Sequence, residues 1–145
     1  MKPTFDITLT EVHVGQRRTV VTLGIDGDDP AHDFLLKLHR DDVNRFESLK
    51  TRIQTVSNYD QYENRITFRH VGEGVYEFKR NGIRLYAFYD EIGDTDHLIL
   101  CTNGGNKDTR KGQQRDIAWA KERKANYLAI KANPKANITY QEVEL

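Results

Sequence analysis

The dipeptide Asn81-Gly82 stands between two runs of alternating residues, Val75-Tyr76-Glu77-Phe78-Lys79-Arg80 and Ile83-Arg84-Leu85-Tyr86-Ala87-Phe88-Tyr89. Asn and Gly both tolerate positive φ, so the pair predicts a tight β-hairpin whose short loop sets the register. Arg80 then faces Ile83, Lys79 faces Arg84, Phe78 faces Leu85, Glu77 faces Tyr86, and Tyr76 faces Ala87. Side chains alternate across a strand, so Tyr76, Phe78, Ile83, Leu85 and Tyr89 share one apolar face that needs helices to cover it. Lys79, Arg84, Glu77, Tyr86 and Phe88 take the other face.

The flanking patterns supply the rest of a sheet and its helices. Ile66 and Phe68 alternate with Arg65, Thr67 and Arg69, which predicts a strand before the hairpin. His97–Thr102 predicts one after the acidic loop Asp90–Asp96. Between Ala31 and Ser57 the apolar residues Phe34, Leu35, Leu38, Val43, Phe46, Leu49, Ile53 and Val56 recur at helical steps. Arg40-Asp41-Asp42 divides this stretch into two helices, with Asp41 or Asp42 as N-cap of the second. Phe5–Thr10 and Thr19–Ile25, around a Val14–Arg17 turn, predict an N-terminal hairpin. Asp26-Gly27-Asp28-Asp29-Pro30 lacks the length and closing Glu of a calcium loop and reads as a turn and helix start.

After the loop Asn103–Asn106 a last helix follows, capped by Asp108 or Thr109, with Ile117, Ala120, Tyr127 and Leu128 as its apolar stripe. Pro134 closes it, and Ile138–Val143 predicts a final strand. The expected fold is one α+β domain over residues 1–145. An antiparallel sheet packs on the two N-terminal-half helices and is joined by a basic C-terminal helix and an added N-terminal β-hairpin. In it Tyr76, Phe78, Leu85 and Leu100 pack against the helix of Phe46, Leu49 and Ile53.

The chain has 145 residues, 37% of them apolar, enough for a core without disulfides or metal. Lone Cys101 excludes an internal disulfide and suits a reducing cytosol. Met1–Asp6 lacks the apolar stretch of a signal peptide, and no apolar run approaches a membrane span, so a cytoplasmic protein is expected. The net charge is zero, yet residues 101–136 carry 9 Lys and Arg against 3 Asp and Glu. That segment is either a local field for a polyanion or a solvated helix face.

His13, His32, His39, His70 and His97 stand at no metal-binding spacing, and neither metal nor cofactor is expected. The Asn103–Asn106 loop lacks the Gly-Lys-Ser/Thr ending of a nucleotide-binding loop. Cys101 falls in a buried strand, where it is a poor nucleophile, and Trp119 reads as a packing residue. The outer face of the hairpin is more suggestive. Lys79 directly opposite Arg84 costs up to about 1 kcal/mol, which the diagonal Glu77 partly relieves. Two cations beside Tyr86 and Phe88 on an open face make an RNA site, the cations for phosphates and the rings for unpaired bases. The alternative is a solvated face of snorkelling stems.

Two helices, a hairpin-rich sheet and a basic last helix, in this order, resemble the RelE/HigB superfamily of toxins, above all its phage-derived branch. The stretches that carry the likeness are Asp33–Leu38, Gly74–Lys79, Gly82–Tyr89, and Asn106–Arg110 leading into Ile117–Ala120. It spans residues 31–132, with the hairpin at 1–27 and the tail at 133–145 as extensions. The resemblance implies the toxin of a type II toxin–antitoxin system, a metal-independent endoribonuclease acting on mRNA, also on the ribosome, and silenced by a helix-turn-helix antitoxin.

By position it implies that Arg84 is the main transition-state cation, supported by Lys79 and Lys107, with Tyr127 as the C-terminal aromatic. Tyr86, Phe88, Arg110, Lys111 and Arg115 would contact RNA. A base would take the 2′-OH proton, the oxygen would attack the adjacent phosphate, and an acid would protonate the leaving oxygen. The family's Lys-Lys pair is Asn106-Lys107 here, and the chain is neutral where such toxins are basic. The second reading is a non-enzymatic phage or regulatory protein that binds nucleic acid or protein on the same scaffold.

Overall fold

The Asn81-Gly82 turn forms as the sequence predicts, with φ of 50° and 76° at its two residues. A computed structural model describes residues 6–60, 62, 67–92, 96–106 and 109–142. In it β1 spans Asp6–Val14, β2 Thr19–Ile25, α1 Pro30–Asp41, α2 Val43–Ser57, β3 Phe68–Gly72, β4 Val75–Arg80, β5 Ile83–Ile92, β6 Asp96–Asn106, α3 Arg110–Lys131 and β7 Asn137–Glu142. The five expected pairs between β4 and β5 all form, from Arg80 opposite Ile83 to Tyr76 opposite Ala87, and Val75 opposite Phe88 continues them. The expected start of β3 at Arg65 and Ile66 lies outside the described residues.

Local chemistry sets the helix starts. Asp29 caps α1 by accepting from the His32 backbone N–H at 3.0 Å, and Pro30 follows where its missing N–H costs nothing. Asp42 caps α2 through the Arg45 N–H at 3.2 Å, and Thr109 caps α3 through the Gly112 N–H at 2.9 Å. The acidic stretch at 26–29 is thus a turn and cap, as its pattern indicates.

The expected antiparallel sheet on two helices is not what forms. The sheet has seven strands in the order β3-β4-β5-β6-β2-β1-β7 and is mixed. β2 runs parallel to β6, with Thr19–Thr22 beside Leu98–Cys101, and β7 runs parallel to β1. The N-terminal hairpin is therefore no appendage. β2 lies between β6 and β1, and Val20, Val21 and Leu23 are fully buried.

Helices cover both faces. On one, Leu35, Leu38, Phe46, Leu49 and Ile53 of α1 and α2 pack on Phe78, Ile83, Leu85 and Ile99. Gly104 lets α1 approach, because a Cβ there would collide with the Phe34 ring. On the other face, α3 lays Tyr127 against Leu9, Leu23, Phe88 and Leu100, and Ala120 against Val75 and Tyr86. Phe78 and Leu85 are buried against α2 as expected, and Tyr76 is half-buried beside them. Leu100 is a correction: it pairs with Phe88 and points to α3. The β5–β6 connection is not a two-residue turn, so nothing local sets its register, and a bulge opposite Tyr86–Ala87 shifts it further.

Candidate nucleic-acid interface

Glu77 organises the face that the sequence leaves open. Its side chain is fully buried, and its carboxylate accepts from the Arg84 guanidinium at 3.1 Å, Arg69 Nε at 3.3 Å and Gln113 Nε2 of α3 at 3.1 Å. The cation in excess on the Lys79–Arg84 cross-strand pair is thereby matched to a buried anion. Arg84 is only 6% exposed, and its Nε has no hydrogen-bond partner among the described residues. Tyr86 is buried next to it. Burial, and then the Glu77 charge, push its phenol well above the ordinary range.

The side chains of Lys79, Arg84, Glu77, Tyr86 and Phe88 face as the register requires, but the face is not open. Arg84, Tyr86 and Phe88 lie beneath α3, so neither ring offers a stacking surface. Tyr127 is likewise buried. Its hydroxyl donates to Asp90, which also pairs with Lys131 at 2.8 Å. Burial raises the Asp90 carboxyl, but the hydrogen bonds from Lys131 and Tyr127 outweigh it and hold the group below its ordinary value. Lys79 is half-buried across from Arg84. Lys107 lies outside the described residues.

The basic segment divides into two groups along α3. In the C-terminal half the cations hold the fold together. Arg123 is buried and donates to the Leu23 carbonyl at 2.9 Å and the Asp28 carbonyl at 3.2 Å, with an ion pair to Asp28 at 3.3 Å. Lys124 donates to the Glu73 carbonyl at 2.6 Å, and Lys131 serves Asp90. Arg123 escaped the sequence reading because a basic residue on a basic helix looks solvated.

In the N-terminal half Arg110, Lys111 and Arg115 are exposed and form no ion pair among the described residues. Arg110 and Lys111 occupy the first turn, which holds no acidic residue. Cations there oppose the positive end of the helix dipole, where an acid would be favoured. Trp119 corrects the sequence reading: the residue is 43% exposed. The signal was its four-residue spacing from Arg115, which puts both on one side of the helix.

No three or more His, Cys, Asp or Glu residues are placed to hold a metal ion among the described residues. None of the helices there is long and apolar enough to cross a membrane. Burial pushes the Cys101 thiol well above its ordinary range, which suppresses the reactive thiolate. The chain matches no protein-family model and no curated protein.

Proposed function

We propose that this chain is an RNA-binding protein on a RelE/HigB-like scaffold, and that it holds RNA on the exposed N-terminal half of α3 rather than on the sheet. The observation that carries the reading is the trio Arg110, Lys111 and Arg115, exposed and without an ion pair among the described residues, at a helix start whose first turn holds no acid. The arrangement is locally unfavourable until an anion arrives, and a phosphate there meets both the side-chain cations and the helix dipole. Arg84 then has a structural part, because its guanidinium is committed to buried Glu77. The partner on this reading is cytoplasmic RNA, including mRNA on the ribosome; a helix-turn-helix antitoxin belongs to the toxin reading that follows.

A second reading, the RNA-cleaving toxin, is favoured by one feature of the same cluster. Arg84 Nε is buried without a hydrogen-bond partner among the described residues. The first turns of α3 reach this cluster through polar contacts, Gln113 donating to Glu77 and the Asp116 carbonyl accepting from Asn103, before Ile117 and Ala120 pack against Tyr86. If those turns lift, Arg84, Lys79 and Tyr86 come together at a phosphate, with Arg84 as the transition-state cation.

Two measurements separate these readings. Labelled RNA titrated with the protein should show saturable binding that weakens with salt. Induction in cells should leave transcripts intact if binding is the whole activity. Cleaved transcripts with growth arrest, both lost in Arg84→Lys, would establish the toxin instead. Absence of RNA binding would remove both readings.

A further inference from the structure

Trp119 is the chain's one tryptophan, and it stands exposed on α3 in line with two exposed cations. Lys111, Arg115 and Trp119 are successive at steps of four, so they form a single slowly turning row about 12 Å long at 1.5 Å per residue. Glu122, one turn further on and also exposed, ends the positive row. Trp119 has no apolar company on this side of the helix. Its helix neighbours at three- and four-residue steps are Arg115, Asp116, Glu122 and Arg123, none of them apolar, whereas Leu128 projects from another side of the helix. A protein interface centres on a cluster of apolar anchors with charged residues depleted. One indole among charges fits a different partner.

We propose that this row binds single-stranded RNA, with an unpaired base stacked on Trp119 and the neighbouring phosphates held by Arg115 and Lys111. The inference rests on the RNA-binding reading above and specifies its substrate: the strand must be single, because duplex bases are stacked on one another and cannot reach the indole. Base–aromatic stacking is indifferent to sequence, since every base has a π face. The row thus supplies affinity for unpaired stretches without choosing among them. Glu122 sets a polarity, with phosphates toward Lys111 and none beyond the ring.

The sole tryptophan is its own reporter. Titrating the full chain with a single-stranded RNA of mixed sequence should quench the indole emission, and the same sequence annealed to its complement should leave the emission nearly unchanged. With labelled RNA and anisotropy as readout, Trp119→Ala should weaken binding roughly 5- to 150-fold. Trp119→Phe should recover most of the loss, and Glu122→Gln should tighten binding. The exposed position leaves the core intact, which a thermal melt of each variant verifies. Unchanged emission together with equal affinity of Trp119→Ala, while the wild type still binds RNA, would overturn the stacking site and leave the RNA-binding reading standing. A wild type that binds no RNA would end that reading and this inference together. An emission shift that depends on protein concentration in the absence of RNA would assign the face to a second copy and refute the proposal.

Discussion

Arg84→Ala should destabilise the protein, and the size of the loss can be worked from the Glu77 cluster. The substitution removes one of three donors to a fully buried carboxylate, leaving Arg69, which is 40% exposed, and Gln113. Deleting one partner of a buried ion pair typically costs 3–5 kcal/mol, because the other charge stays buried without compensation. The two remaining donors place the expected loss near the lower end, at about 3 kcal/mol. That is a large part of the ~5–15 kcal/mol by which domains are stable. In urea melts followed by circular dichroism, with m of about 1–3 kcal/mol per molar, the midpoint should fall by roughly 1–3 M at unchanged m. Replacing the pair together, Arg84→Met with Glu77→Leu, should recover much of the loss, since apolar replacement of a buried pair is often neutral. A midpoint for Arg84→Ala within ~0.3 M of wild type would refute the reasoning and restore Arg84 as an accessible functional cation.

Other elements make sharper, smaller claims. Arg123→Ala removes the guanidinium that ties α3 to the Leu23 and Asp28 carbonyls, and should cost about 1–3 kcal/mol in the same melts, against near zero for Arg115→Ala. Gly104→Ala should cost about 1–3 kcal/mol by overpacking against Phe34, and Phe34→Leu in the same chain should relieve part of it. Asp90 is held below its ordinary pKa in the fold, so its contribution is full above the unfolded value of about 3.9 and fades as pH falls through the lower folded value. Asp90→Asn should therefore destabilise at pH 7 and flatten the acid limb of the stability–pH curve. An unchanged acid limb would show that Lys131 and Tyr127 do not govern this carboxylate.

The hairpin was legible because Asn81-Gly82 leaves one register, and every cross-strand pair followed from it. The caps at Asp29, Asp42 and Thr109 were legible for a similar reason: each is a local contact to a backbone N–H within the first turn. Long-range pairing was not. β2 reaches β6 past α1, α2 and three strands, and nothing in Thr19–Ile25 says which strand it will join or in which direction. The cover over Arg84 and Tyr86 comes from α3, which buries Gly112, Ala120, Arg123 and Tyr127. Periodicity named the side through Ile117, Ala120 and Tyr127, with Leu128 alone of that stripe exposed, but it could not say which face of the sheet the helix would cover. Reading Arg84, Tyr86 and Phe88 as an open RNA surface followed from that omission. The cations Arg110, Lys111 and Arg115 at the start of α3 are exposed, but their neighbour Trp119 was assigned to packing on residue type alone.

The most direct test of RNA binding on α3 is the salt dependence of affinity for wild type and for Arg110→Gln/Lys111→Gln/Arg115→Gln. Each phosphate contact to a single strand contributes about 0.7 to the slope of log affinity against log salt. If the three cations hold phosphates, the triple variant should lose about 2 from that slope and bind more weakly at low salt, with its melting midpoint unchanged. Equal slopes and equal affinities for the two proteins would contradict the account.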